Sequence, residues 1–136
     1  MNARLAALAG VMALAAALPA AAMTRAEYSA QRSRIQDKYA TDKDRCWTRG
    51  DVQRRVCEVQ ARVAYDIARL ELRAQYRPTP SNVEKARHAK ADAARALDEA
   101  RCDDLRASAK KVCVDEARAK WKNARAEEHA AASEAR

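Results

Sequence analysis

The sequence predicts an all-α protein made of two antiparallel helical hairpins (about four helices), each stapled near its tip by a disulfide. Three observations predict it. Two cysteine pairs with the same internal spacing, Cys46 with Cys57 and Cys102 with Cys113, recur 56 residues apart. After position 22 the chain holds 24 alanines but only 13 Val, Ile and Leu, and no Phe. Alanine favours helix because it loses no side-chain entropy there, and so few large aliphatics leave a thin core. Apolar residues also recur at spacings of three and four, most regularly between Val52 and Ala74.

The N-terminal segment decides the redox state of the cysteines. Met1 to Arg4 is a short basic start, Leu5 to Leu18 an unbroken run of apolar and small residues, and Pro19 leads into the small-residue cleavage signal Ala20-Ala21-Ala22. At 14 residues the run is shorter than the roughly 20 needed to span a bilayer. Residues 1–22 are therefore read as a cleaved signal peptide. The expected protein is periplasmic or secreted, with no transmembrane segment in its mature chain. Residue 23 is Met, so no lipid anchor is indicated. In an oxidising compartment the four cysteines are expected as disulfides, which a small domain with little core requires.

Residues 23–77 are assigned to the first hairpin. Thr24 with Glu27 is a capping-box pattern that opens a helix. Tyr28, Ile35, Tyr39 and Cys46 follow on one face at spacings of 7, 4 and 7. Gly50 is expected to end this helix in the left-handed conformation and Asp51 to cap the next. The second helix carries Val52, Val56, Val59, Val63, Ile67, Leu70 and Ala74 as its apolar stripe, and Pro78 and Pro80 end it. Residues 78–81 form the joint. The second hairpin, 82–136, opens at a second capping-box pattern, Ser81 with Glu84, and continues with Val83, Ala86, Ala93, Leu97 and Leu105. Ser108 then caps a fourth helix bearing Val112, Cys113, Ala117, Trp121 and Ala124, which frays into the tail.

Laying residues 42–71 over 98–127 aligns Asp42, Arg45, Cys46, Val56, Cys57, Ala61, Arg62, Ala68, Arg69 and Glu71 with identical counterparts. Tyr65 meets Trp121 in that frame, so the mature chain reads as two copies of one unit. Residues eleven apart on a straight helix are about 16 Å apart along its axis. A disulfide needs Cα atoms within roughly 7 Å. If the chain reverses at Gly50-Asp51 and at Ala107-Ser108, each pair closes across a hairpin, giving Cys46–Cys57 and Cys102–Cys113. The rival connectivity, Cys46 with Cys113 and Cys57 with Cys102, requires two unbroken helices. Gly50 opposes it, whereas residues 105–110 hold no strong breaker.

Cys102-Asp103-Asp104-Leu105, Ala109-Lys110-Lys111-Val112-Cys113-Val114, Glu116-Ala117 and Ala119-Lys120 resemble the repeat of a family of exported, Ala/Lys-rich helical proteins of Gram-negative bacteria with Cys-x10-Cys hairpins. Residues 70–78 resemble the segment between that family's repeats. The likeness covers most of 24–127. It implies a fold and brings no activity. The family's cysteine loop carries a Gly-Asn turn, where this chain has Gly50-Asp51 and then Ala107-Ser108.

Chemistry-bearing motifs are sparse. His88 and His129 each stand alone in Ala- and charge-rich stretches and read as solvated residues. Gly10 and Gly50 are the only glycines, so there is no phosphate loop. The cysteine spacing matches neither zinc nor haem attachment. The expectation is a non-enzyme without catalytic residues, metal or cofactor, acting as an interaction or structural component of the cell envelope. Its partners are open: envelope proteins or anionic envelope polymers, with nucleic acid not expected. The formal charge of +8, of which Arg4 in the leader contributes one, supports an alternative as an electrostatic binder of anionic envelope polymers or surfaces. Arg54, Arg55, Lys110 and Lys111, at matching positions in the two units, are its candidate contacts. A third reading is a periplasmic holdase using the alanine-rich faces. Trp121 is expected in the core, and Trp47 either shields the first disulfide or anchors a partner.

Overall fold

The computed structural model describes residues 22–134. Apart from Ala22, the expected leader lies outside the described residues. Four helices follow one another: α1 (Arg25–Cys46), α2 (Asp51–Tyr76), α3 (Pro80–Arg101) and α4 (Ala107–Glu134), with a 3-10 turn at Cys102–Asp104. Among the described residues no strand is present, and no helix is long and apolar enough to cross a membrane.

Local signals explain most boundaries. The Thr24 hydroxyl accepts from the Glu27 N–H, and the Glu27 carboxylate accepts from the Thr24 N–H at 2.8 Å, completing the expected capping box. Three other boundaries differ from expectation. Gly50 is extended (φ −62°, ψ 158°) and is itself the N-cap of α2, while α1 has already ended at Cys46. Asp51 is thus the first helical residue, where its charge favours the positive end of the helix dipole. Thr79 rather than Ser81 caps α3, its hydroxyl accepting from the Asn82 N–H, because Pro80 has its ring-fixed φ already set for the first helical position. The joint therefore contracts to 77–79. The second turn is real, but it lies at the 3-10 segment and Leu105–Arg106. Ala107 begins α4 with φ +49°, in the left-handed region, in place of a Ser108 cap.

Both disulfides close within a hairpin: Cys46–Cys57 with Cα atoms 5.6 Å apart and Cys102–Cys113 with 5.8 Å, and no cysteine is free. They set a register that holds along each hairpin. In the first, Tyr39 faces Tyr65 and Tyr28 stacks on Tyr76, with ring centroids 4.9 and 4.3 Å apart. In the second, Glu99 pairs with Arg118, Asp92 accepts from the Trp121 indole N–H at 2.7 Å, and His88 meets Glu128. Extensive packing runs only between consecutive helices, and α2 against α3 is as close as either hairpin is internally. The four helices thus form a serpentine layer, and the hairpins share one broad interface. Both disulfide tips lie at one end, with the joint and the open ends of the hairpins at the other.

The buried residues are Cys46, Cys57, Ala61, Leu72, Ala89, Ala91, Ala93, Ala100, Cys102 and Ala117. Small side chains let helix axes approach near the lower end of the usual 8–10 Å range, which is also what brings facing cysteines into bonding distance. Ala89 and Ala93 line the cleft against α2, so the third helix needs small residues on more than one face. The repeat is visible in the packing, because Cys46 and Cys102 are both fully buried and Ala61 and Ala117 match across the two units. Val56, Val59, Val63, Ile67 and Leu70 are only half-buried. Val83, Leu105 and Val112, expected on apolar faces, are exposed, since a layer covers less of each helix than a closed bundle would.

Replacing Cys46 and Cys57 together by alanine is expected to lower the unfolding free energy by about 3 kcal/mol, the chain-entropy cost of opening a loop this size, measured by urea titration. Ala107→Gly is expected to raise it by up to about 1 kcal/mol, because glycine adopts the left-handed conformation without the Cβ penalty. An unchanged midpoint would mean that the turn holds no such strain.

Candidate functional site

At the open end of the first hairpin, α1 and α2 frame a groove of about 730 Å³. It is lined by Arg25, Tyr28 and Arg32 from α1, by Tyr65, Arg69, Arg73 and Tyr76 from α2, and by Arg77 at the C-cap of α2. Spacings of 7 between Arg25 and Arg32 in α1 and of 4 between Arg69 and Arg73 in α2 keep these arginines on the facing sides of their helices. The lining contains no carboxylate. Among the described residues, Arg25, Arg32, Arg73 and Arg77 form no salt bridge, and Arg69 is held by Asp66 at 3.7 Å. Glu27, the acid of the first turn, is engaged by the cap: the Thr24 N–H and hydroxyl hold its carboxyl below the usual 4.5.

The tyrosines give the groove its floor. Tyr28 and Tyr76 are stacked across the hairpin, Arg77 lies over Tyr76 at 5.6 Å, and Arg69 over Tyr65 at 5.9 Å. Guanidinium groups set against aromatic faces lose less conformational freedom on meeting a ligand, and each offers a planar fork that matches phosphate or carboxylate oxygens.

The candidate anion contacts named from sequence are placed differently. Arg54 and Arg55 in the first unit and Lys110 and Lys111 in the second do gather at the tip end, but carboxylates engage them. Arg54 pairs with Asp51 at 3.3 Å and sits 5.3 Å over the Trp47 ring. Lys110 pairs with Asp103 at 2.9 Å, Arg55 adds its charge beside the same carboxyl, and Lys111 pairs with Asp115 at 2.7 Å. Trp47 is 62% exposed at the first tip, while its neighbour Cys46 is fully buried. Trp121 is half-buried rather than apolar core, with Arg95 and Arg125 against its ring at 4.7 and 5.9 Å.

A second and larger cleft, about 830 Å³, runs between α2 and α3 over Val59, Val63, Leu70, Ala89, Ala93 and Ala96. Its rim carries charges of both signs, several of them paired, as in Arg62 with Asp66 at 2.9 Å, so it presents no single-sign field to a ligand. The arginine groove carries the stronger chemical signature.

Sequence reasoning missed the groove because its residues lie on helix segments far apart in the chain. The 56-residue frame relates these positions: Tyr28, Arg32 and Arg73 correspond to Glu84, His88 and His129, where the two units differ in charge and chemistry. His88 and His129, read separately as solvated residues, are brought together in the structure, with ring centroids 5.6 Å apart. Comparison with known proteins adds no relative: no family model, curated protein or solved structure matches this chain.

The tip ion pairs imply an acid response. Lys110, first by its hydrogen bond and then by its charge, holds the Asp103 carboxyl below the usual 3.8, and Lys111 does the same to Asp115. A carboxyl lowered in the folded state stabilises above its unfolded value, and that stabilisation is lost as pH falls through the folded value. Carboxyl NMR titration is expected to place the Asp103 midpoint below 3.8, and Lys110→Met to move it up toward that value.

Proposed function

We propose that this protein is an exported, non-enzymatic interaction module of the cell envelope that binds anionic polymers or surfaces through the arginine and tyrosine groove of its first hairpin. The observation that supports this reading is the groove itself: five guanidiniums and three phenol rings converge on one cleft without a lining carboxylate. Both disulfides fit an oxidising compartment, and the apolar run ahead of Ala22 fits export. Cleavage after Ala22 would set a free α-amino group beside Thr24, adding positive charge at the same end. The resemblance to exported Ala/Lys-rich hairpin proteins accords with this placement.

The mechanism is electrostatic capture followed by local fit. Elsewhere on the helices charges of both signs are interleaved, and many are paired, as in Lys38 with Asp42 and Lys90 with Glu71. What distinguishes the groove is that Arg25, Arg32, Arg73 and Arg77, none in a salt bridge among the described residues, surround one cleft. A phosphate- or carboxylate-bearing chain laid along the cleft would meet Arg25 and Arg32 on one wall and Arg69, Arg73 and Arg77 on the other. Arg69 and Arg73, four apart on α2, are offset along its axis by about 6 Å, so they would meet separate charges of a bound chain. Neighbouring charges would each find a fork.

Binding of long-chain polyphosphate to the oxidised chain is expected to weaken on the order of tenfold or more between 50 and 300 mM salt. Arg32→Glu with Arg73→Glu is expected to reduce it to a similar degree at low salt, while neutralising Arg54, Arg55, Lys110 and Lys111 has a smaller effect. Salt-independent binding, or equal loss from both sets, would contradict the groove as the contact surface.

A further inference from the structure

At the open end of the second hairpin, the positions that carry arginine and tyrosine in the first are occupied by metal-ligating groups. Glu84 and His88 stand one turn apart on α3, and His129 comes from the facing side of α4. One ligand atom from each of the three lies within 4.8 Å of the other two. His88 Nε2 is 3.3 Å from Glu84 Oε1, and His88 Nδ1 is 2.6 Å from Glu128 Oε2. The His88 side chain is 12% exposed and Glu128 21%, so the central imidazole is fixed by its surroundings, whereas Glu84 is 56% exposed and His129 is exposed on the rim.

From this geometry we infer that Glu84, His88 and His129 form a binding site for a divalent late first-row transition metal, with zinc the ion that fits best. The roles follow from the atoms. In the ion-bound site Glu128 would accept from the Nδ1–H of His88 and leave Nε2, 3.3 Å from Glu84 Oε1, as the lone-pair donor. A carboxylate behind a ligating histidine is the usual way such a ring is oriented and made a better donor. Two imidazoles and one carboxylate are a borderline-soft donor set. They suit zinc or copper better than calcium or magnesium, which take mainly oxygen ligands. Ligand atoms around tetrahedral zinc are roughly 3.3 Å apart, so closure from a spacing of up to 4.8 Å requires side-chain movement on the order of 1 to 2 Å. The three ligands line one groove with Pro78, Pro80, Val83, Arg87 and Ala132, which leaves a fourth position open to water or to a partner's ligand, with the Arg87 guanidinium as the cation nearby.

The site joins α3 to α4 at the end opposite Cys102–Cys113, so a bound ion would clamp the hairpin at its free end as the disulfide does at its tip. All four cysteines are oxidised, so they offer no competing thiolate. The inference is independent of anion binding by the first hairpin, since no residue is shared.

The test is calorimetric titration of zinc into the oxidised, metal-stripped chain purified without a histidine tag, with calcium as the control ion. One zinc per chain is expected, with a dissociation constant on the order of 10 µM or tighter, together with a rise in Tm when zinc is added. Calcium is expected to produce neither. His129→Ala, on an exposed ring whose loss leaves the helices intact by circular dichroism, is expected to weaken zinc at least ~10-fold, and Glu128→Gln, which removes only the orienting charge, by ~10-fold or more. Zinc binding weaker than about 100 µM, or binding unchanged in both His129→Ala and His88→Ala, would overturn the assignment.

Discussion

The cystine near each hairpin tip is the constraint on which the other contacts depend. Facing helices lined by alanine have almost no knobs to lock their register, and among the described residues Leu72 is the only large aliphatic side chain that is buried. A covalent bond between Cys46 and Cys57, and another between Cys102 and Cys113, fixes both the height and the spacing at which each pair of helices meets. From that fixed point the antiparallel geometry carries the register outward, so that Tyr39 reaches Tyr65 and Tyr28 reaches Tyr76 two and five turns away. The cross-link also removes conformational freedom from the unfolded chain, an important gain where so little apolar surface is buried.

Two hairpins built on the same frame then diverge where register matters least to stability. Near the tips the units keep the same elements: a fully buried first cysteine, a buried alanine at 61 and 117, and an aspartate-arginine pair one turn before the cysteine, Asp42 with Arg45 and Asp98 with Arg101. At mid-height the tyrosine pair of the first unit becomes Arg95 over Trp121 in the second, one aromatic contact exchanged for a cation over a ring. At the open ends no shared feature remains. Arginine and tyrosine fill one cleft, while glutamate and histidine fill the other. Both open ends lie on the joint side of the layer, so one end of the molecule presents cation-rich and donor-rich clefts side by side, and the other presents paired charges and Trp47.

The layered arrangement explains why so small a core suffices and why so much stays half-covered. A closed four-helix bundle would bury a stripe on every helix toward a common axis. Here α1 and α4 each have one extensive neighbour, and the valines of α2 are covered from only part of their circumference. Surface ion pairs of the i, i+4 type line the remaining faces and keep them soluble at little gain in stability.

Much of this was written in local sequence. The capping box at Thr24, the proline joint and the second helix's stripe act over a few residues, and the eleven-residue cysteine spacing favours pairing within each hairpin. With no strong breaker at 105–110 the sequence left the rival connectivity open, and the second turn closed it. Where two local signals competed, sequence alone did not resolve them. Thr79 with Pro80 prevailed over Ser81 with Glu84 because proline's φ was already helical, and Glu84 instead came to lie beside His88. Gly50 needed no left-handed turn because three residues after Cys46 already reversed the chain. What the sequence by itself determined is therefore helix, hairpin and staple, each set by steric and hydrogen-bonding rules within a turn or two. The tertiary structure decided which charges are left without partners and that His88 meets His129. Those depend on side chains about 40 residues or more apart arriving at the same height, and only the packed register specifies that.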